Sequence, residues 1–154
     1  MEGMAMKENN PGGDEKRYHI GLLMGVFDLF HVGHLNLIEN AKAHCDYLRV
    51  GVLSDELVFH FKKIYPTIPQ EERMRILGAI RWVDEVVSID QNVSRIEEWK
   101  IRPFDCFFSG DDYSGNPYWE WEKKELQKLG SDIVFFPYTK SQSSTRIRAA
   151  LSAK

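Results

Sequence analysis

Cysteine is scarce in this chain of 154 residues: there are two, Cys45 and Cys106, isolated from each other and forming no Cys-x-x-Cys pair. A structural zinc site therefore has no ligand set to build on, and unpaired thiols suit a reducing, cytoplasmic compartment. Long apolar runs are missing too. None approaches the ~20 residues that cross a bilayer, so no membrane insertion is expected. The first 17 residues are polar, hold Asn9-Asn10-Pro11-Gly12-Gly13, and lack the apolar centre of a secretion signal. They read as a flexible N-terminal extension (1–17) ahead of one domain (18–154). Nor is there a surplus of charge. A formal net charge of −3 gives no general pull toward polyanions, so nucleic acid is not an expected partner. No internal repeat, second domain or Ser-His-Asp arrangement is visible, so no covalent intermediate is expected.

What is present is an ordinary globular composition, 43% hydrophobic and 28% charged, at a length suited to one core. Apolar runs alternate with helix-period segments. Strands are expected at Ile20–Leu23, Tyr47–Leu53, Glu85–Ile89, Phe104–Phe108 and Asp132–Phe136. Helices are expected at Leu35–Lys42, Gln70–Ile80, Val93–Lys100 and Tyr118–Leu129, the last stopped by Gly130, and from Ser143 onward, with serine as its cap. This alternation predicts an α/β, Rossmann-like three-layer sandwich on a five-stranded parallel sheet. Ligands of such sheets bind beyond the carboxyl ends of the strands. Asp28 and His31, Ser54 and Asp55, Gly110 and Asp111, and Thr139 all follow strand ends.

The densest chemistry lies in Met24-Gly25-Val26-Phe27-Asp28-Leu29-Phe30-His31-Val32-Gly33-His34, where a strand hands over to a helix. Histidines three residues apart fall on about one face of the first helical turn. The unpaired N–H groups and positive dipole end of that turn attract phosphate. Gly33, between them, lets backbone approach a ligand. A helix cap, a satisfied buried imidazole and a His-x-x-His metal pair are the other readings of the same residues.

The string Gly25–His34 resembles the G-x-F-D-x-x-H-x-G-H motif of the cytidylyltransferase branch of the nucleotidyltransferase superfamily. The resemblance continues through Gly51–Leu57, Phe61-Lys62, Glu72-Arg73, Ile80–Val87 and Ser143–Ile147, and so covers nearly everything from residue 18 onward. It implies transfer of CMP from CTP to a small phosphorylated alcohol, with glycerol 3-phosphate the best match to so short a chain. Phosphocholine, phosphoethanolamine, a sugar phosphate and adenylyl transfer are the alternatives, and a degenerate nucleotide-binding regulator is a further one. It implies catalytic roles for His31, His34, Lys62 and Arg81. It assigns nucleotide binding to Gly25, Val26, Phe27, Gly33, Asp111, Thr139, Ser143, Ser144 and Thr145. Substrate binding falls to Asp28, Asp55, Lys63 and Arg73, the last either on the substrate or organising the loop that carries Lys62. No protein metal site is implied, and Mg2+ would arrive with CTP through phosphate oxygens. A homodimer is implied through helices near the motif and the Arg81–Val87 segment.

The chain departs from the family's closing R-T-E-G-I-S-T motif. Thr139 and Ser143 match, but Tyr138 replaces the arginine, Lys140 the glutamate and Ser141 the glycine; Arg146 or Lys140 would have to compensate. Lys63 stands where relatives often carry glycine. Arg73 and Arg81, eight residues apart, are expected to share one helix face. Tyr113, Tyr118, Trp119 and Trp121 could cage a quaternary ammonium by cation–π attraction, or simply pack. The spacing of Trp119 and Trp121 keeps their two rings off a common helical face.

Overall fold

The computed structural model describes residues 17–137 and 144–153. The chain runs β1 (Tyr18–Gly25), α1 (Val32–Lys42), β2 (Cys45–Leu53), α2 (Asp55–Lys62), α3 (Gln70–Gly78), β3 (Glu85–Ile89), α4 (Arg95–Ile101), β4 (Cys106–Gly110), α5 (Pro117–Lys128), β5 (Ile133–Phe136) and α6 (Ser144–Ser152). All five strands are parallel, in the order β3-β2-β1-β4-β5. This is the expected α/β, Rossmann-like three-layer sandwich. The strand order reverses between β1 and β4, which opens a crevice at their carboxyl ends.

The two-residue period of the strands sorts the core into two layers. Leu23, Val50 and Phe108 face one side, with Ile38 and Ala41 of α1 and Leu77 of α3. Leu22, Phe107 and Ile133 face the other, with Leu126 of α5 and Ile96 and Trp99 of α4. Gly21 is a glycine because β1 is crowded there: an added Cβ would lie 2.5 Å from the Phe108 ring and 2.8 Å from Cys45 Sγ. Cys45 and Cys106 are both free and buried.

Three local outcomes differ from the sequence reading. Residues 55–62, expected as loop, form α2: Ser54 Oγ accepts from the Leu57 N–H at 3.1 Å, two acids follow in the first turn, and Leu57 and Val58 are buried. The aromatic run that follows had masked this start signal. Helix α3 ends at Gly78 and Arg81 sits in the turn beyond it, so Arg73 and Arg81 do not share a helix. Arg17, expected in the extension, docks on the domain, donating to Asp46 Oδ1 and to the carbonyls of Ala43 and Cys45. Residues 1–16 lie outside the described residues, as do Tyr138–Ser143. No described helix is long and apolar enough to cross a membrane.

Candidate active site

A cleft of about 330 Å³ lies where the switch in strand order predicts it. Its floor is the end of β1, Met24 to Asp28, with Gly110 of β4 and Pro137 after β5. Helix α1 contributes His31, Gly33, His34, Asn36, Leu37 and Asn40. Val58, Lys62, Ile64, Tyr65 and Pro66 form a second wall, and Ser144, Thr145 and Arg148 of α6 a third. Gly25 suits the floor because the Phe27 ring lies against it, 3.1 Å from where a Cβ would stand.

The two histidines cap α1 reciprocally. His31 is the N-cap, and its Nδ1 accepts the Gly33 N–H at 3.1 Å, while His34 Nδ1 accepts the His31 N–H at 3.3 Å. The rings stack, with centroids 3.8 Å apart. An Nδ1 that accepts a hydrogen bond carries no proton, so each neutral ring holds its proton on Nε2. Burial lowers both pKa values. That of His34 falls to about 4, with His31 lowering it further and Asp28 opposing. At neutral pH the pair is therefore two Nε2–H donors lining the cleft. The backbone N–H groups of His31 and Gly33, expected to be open to phosphate, are already paired with the two imidazoles.

Asp28 lies under the cleft and is buried. Its Oδ2 accepts the Thr67 N–H at 2.7 Å and Arg148 Nη1 at 3.1 Å, and its Oδ1 accepts the Ile68 N–H at 2.9 Å. Its carbonyl accepts the Ser144 hydroxyl. Phe27 and Leu29, on either side, have φ of 56° and 52°, a left-handed conformation that non-glycine residues adopt at a cost. Arg73, expected on the substrate or the lysine loop, makes internal contacts. Its fully buried guanidinium donates to the carbonyls of Ile68 and Val26 and to Asp55 Oδ1, at 2.6–2.7 Å. Asp55, expected on the substrate, stands outside the cleft lining, where it holds Arg73 and accepts from the Gln70 N–H, which opens α3 where Pro69 offers no side-chain cap.

Lys62, the last residue of α2, lines the cleft, whereas Lys63 does not. Lys63 has φ 64° and ends the helix in the left-handed conformation that glycine prefers. Arg81, expected to be catalytic, is exposed outside the cleft lining, with its guanidinium 4.9 Å from the Trp82 ring centroid. Asp111 opens a single helical turn after Gly110, outside the lining. Thr139 and Ser143 lie outside the described residues. Arg148, Asn36 and Asn40 were not foreseen. Helical spacing carried the signal, since Arg148 stands four residues after Ser144, and Asn36 and Asn40 are likewise four apart.

Within the aromatic cluster the Trp119 ring is occupied. Trp119 stacks on Tyr113 with centroids 4.5 Å apart and planes at 1°, and Arg95 Cζ lies 3.8 Å from its ring centroid. Glu122, fully buried, accepts from Arg95 at 2.6 Å and meets its charge. An indole flanked by its own protein's tyrosine and arginine leaves no open cage for a quaternary ammonium there.

Comparison with known proteins gives a consistent picture. The cytidylyltransferase-like family model matches residues 22–150. The chain is 34% identical over 129 residues to a glycerol-3-phosphate cytidylyltransferase of Bacillus subtilis, covering 83% of this chain and 93% of that protein. It is 38% identical over 128 residues to an FAD synthase of Thermococcus kodakarensis, covering 81% and 85%. Among solved structures, a lipopolysaccharide core biosynthesis protein of Thermoplasma volcanium shares the fold, with a TM-score of 0.65 at 19% identity over 81% of this chain and 99% of that one.

Proposed function

The chain belongs to the cytidylyltransferase-like family and is a nucleotidyltransferase, and from that premise we propose that it transfers CMP from CTP to a small phosphorylated alcohol, glycerol 3-phosphate first, and releases pyrophosphate. One observation carries this reading: the reciprocal capping that leaves two neutral Nε2–H donors on rings lining one side of a cleft of about 330 Å³.

In this mechanism an oxygen of the acceptor's phosphate attacks the α-phosphorus of CTP. As that bond forms, the bond to the β-phosphate's bridging oxygen breaks, and its electron pair leaves on pyrophosphate. His31 and His34 donate to the α-phosphate oxygens and the bridging oxygen as charge builds on them, with no proton transfer required. Lys62 neutralises charge from the facing wall. The start of α6, with the hydroxyls of Ser144 and Thr145 and with Arg148, holds the outer phosphates, where the sequence lacks the family's closing-loop arginine. Gly25, Val26, Phe27 and Gly33 pack the nucleotide. Among the described residues no group of three or more His, Cys, Asp or Glu could hold a metal. Magnesium would arrive with CTP, held through its phosphate oxygens, and would supply charge neutralisation there. We place the enzyme in the cytoplasm as a homodimer packed through α1 and the Arg81–Val87 segment; light scattering would test the latter.

The test is pyrophosphate release with CTP, Mg2+ and a panel of glycerol 3-phosphate, phosphocholine, phosphoethanolamine, ribitol 5-phosphate and heptose 1-phosphate. Turnover of glycerol 3-phosphate that vanishes in His34→Ala supports the reading; turnover of another acceptor, or of none, overturns its substrate. The resemblance to an FAD synthase favours adenylyl transfer as a second reading, which ATP in place of CTP decides. The occupied faces of Trp119 count against phosphocholine.

A further inference from the structure

The resemblance sets Asp28 against substrate, yet its polar contacts run to two other segments of its own chain. Its two carboxylate oxygens receive consecutive amides, Thr67 and Ile68, at the far end of the loop that leaves Lys62, together with Arg148 of α6. Its carbonyl receives Ser144 from the first turn of the same helix. The side chain is 5% exposed, so little of the carboxylate is left for a ligand. Arg73 doubles the joint by bridging the carbonyls of Val26 and Ile68. The left-handed φ of Phe27 and Leu29 belongs to this arrangement. It turns the chain so that the carbonyl and the carboxylate of one residue serve different elements.

We propose that Asp28 is a positioning residue, a clasp that fastens the Lys62 wall and the Arg148 helix to one point beneath the cleft. Lys62 and Arg148, both lining the cleft, then come from elements with little sequence in common but one shared anchor. Weakening either arm loosens the other, because Arg148 and the Thr67 N–H share Oδ2 of a single carboxylate. The inference rests on the proposed function only for what the walls hold; the joint itself is a property of the ligand-free protein.

Amide hydrogen exchange of the ligand-free protein tests it without any substrate. Arg148→Gln touches neither the Thr67 nor the Ile68 N–H, yet it should speed their exchange about tenfold, as expected from losing one charge-assisted bond to their shared acceptor. Unchanged exchange at both amides would overturn the clasp. Kinetics give a second reading. Asp28→Asn should lower kcat about 100-fold with the acceptor KM unchanged, the scale and sign of a small misplacement of reacting groups. A raised acceptor KM with kcat kept, the mark of a direct substrate contact, would overturn it. If Asp28→Asn does not fold, the exchange result with Arg148→Gln decides alone. A wild-type protein that never released pyrophosphate would defeat the proposed function and leave the exchange result standing.

Discussion

The junction of β1 with α1 and the flank of β4 against α5 both concentrate residues that invite a chemical reading, and they end differently. At the junction, His31 and His34 engage their Nδ1 atoms on backbone N–H groups, which leaves the proton on Nε2 of two rings that line the cleft. At the flank, Trp119 has Tyr113 on its ring and Arg95 against it, and Glu122 answers the arginine. The internal contacts of the histidines aim a donor outward, whereas those of the tryptophan use up its face. A side chain serves a ligand with what its own neighbours leave unengaged, and only the junction leaves something.

Four experiments would break or sharpen that contrast. The largest effect belongs to the flank: Glu122→Leu leaves Arg95 largely buried without its partner and should cost about 3–5 kcal/mol in a urea unfolding curve. The surviving folded protein should keep its KM for CTP. At the junction the balance reverses. His34→Ala should lower kcat about 10²–10³-fold, as loss of one preorganised donor does, while the missing cap contact costs only about 1 kcal/mol by the same unfolding measurement. Next comes pH. His34 in the folded protein titrates at about 4, below its ordinary 6.5, because burial disfavours the charged ring. Between those values the unfolded chain binds the extra proton, so this contribution to stability is full above pH 6.5 and is lost as pH falls toward 4. Unfolding curves at pH 7 and 5 should show wild type losing more stability than His34→Gln. The smallest effect is Lys63→Gly, which relieves a left-handed lysine and should raise stability by about 1 kcal/mol, read as a higher Tm.

The fold was legible because its signals are local: two-residue alternation, helical spacing, Asn116 and Pro117 opening α5, and Gly130 with φ 87° closing it. The histidine pair was legible for the same reason, since three residues fix their juxtaposition. What escaped was long-range. Nothing near Asp28 announces that Thr67, Ile68 and Arg148 will converge on it, between 39 and 120 residues away. Arg73 and Asp55 look like substrate ligands in a motif, and become an ion pair only when α3 packs against the end of β1. Helix α2 was hidden by its aromatic composition, although Ser54-Asp55-Glu56 is a sound start signal. Arg81 was misplaced because α3 ends at Gly78.

The central claim is that two neutral imidazoles, fixed by each other's backbone contacts, present Nε2–H donors to the transferred phosphate. Long-range 1H–15N spectra of the histidine side chains, recorded from pH 7.5 down to 4, test it directly. The account predicts protonated Nε2 and unprotonated Nδ1 for both His31 and His34 at pH 7, with the His34 signals holding until pH approaches 4. A His34 that titrates near 6.5, or that carries its proton on Nδ1, would contradict it.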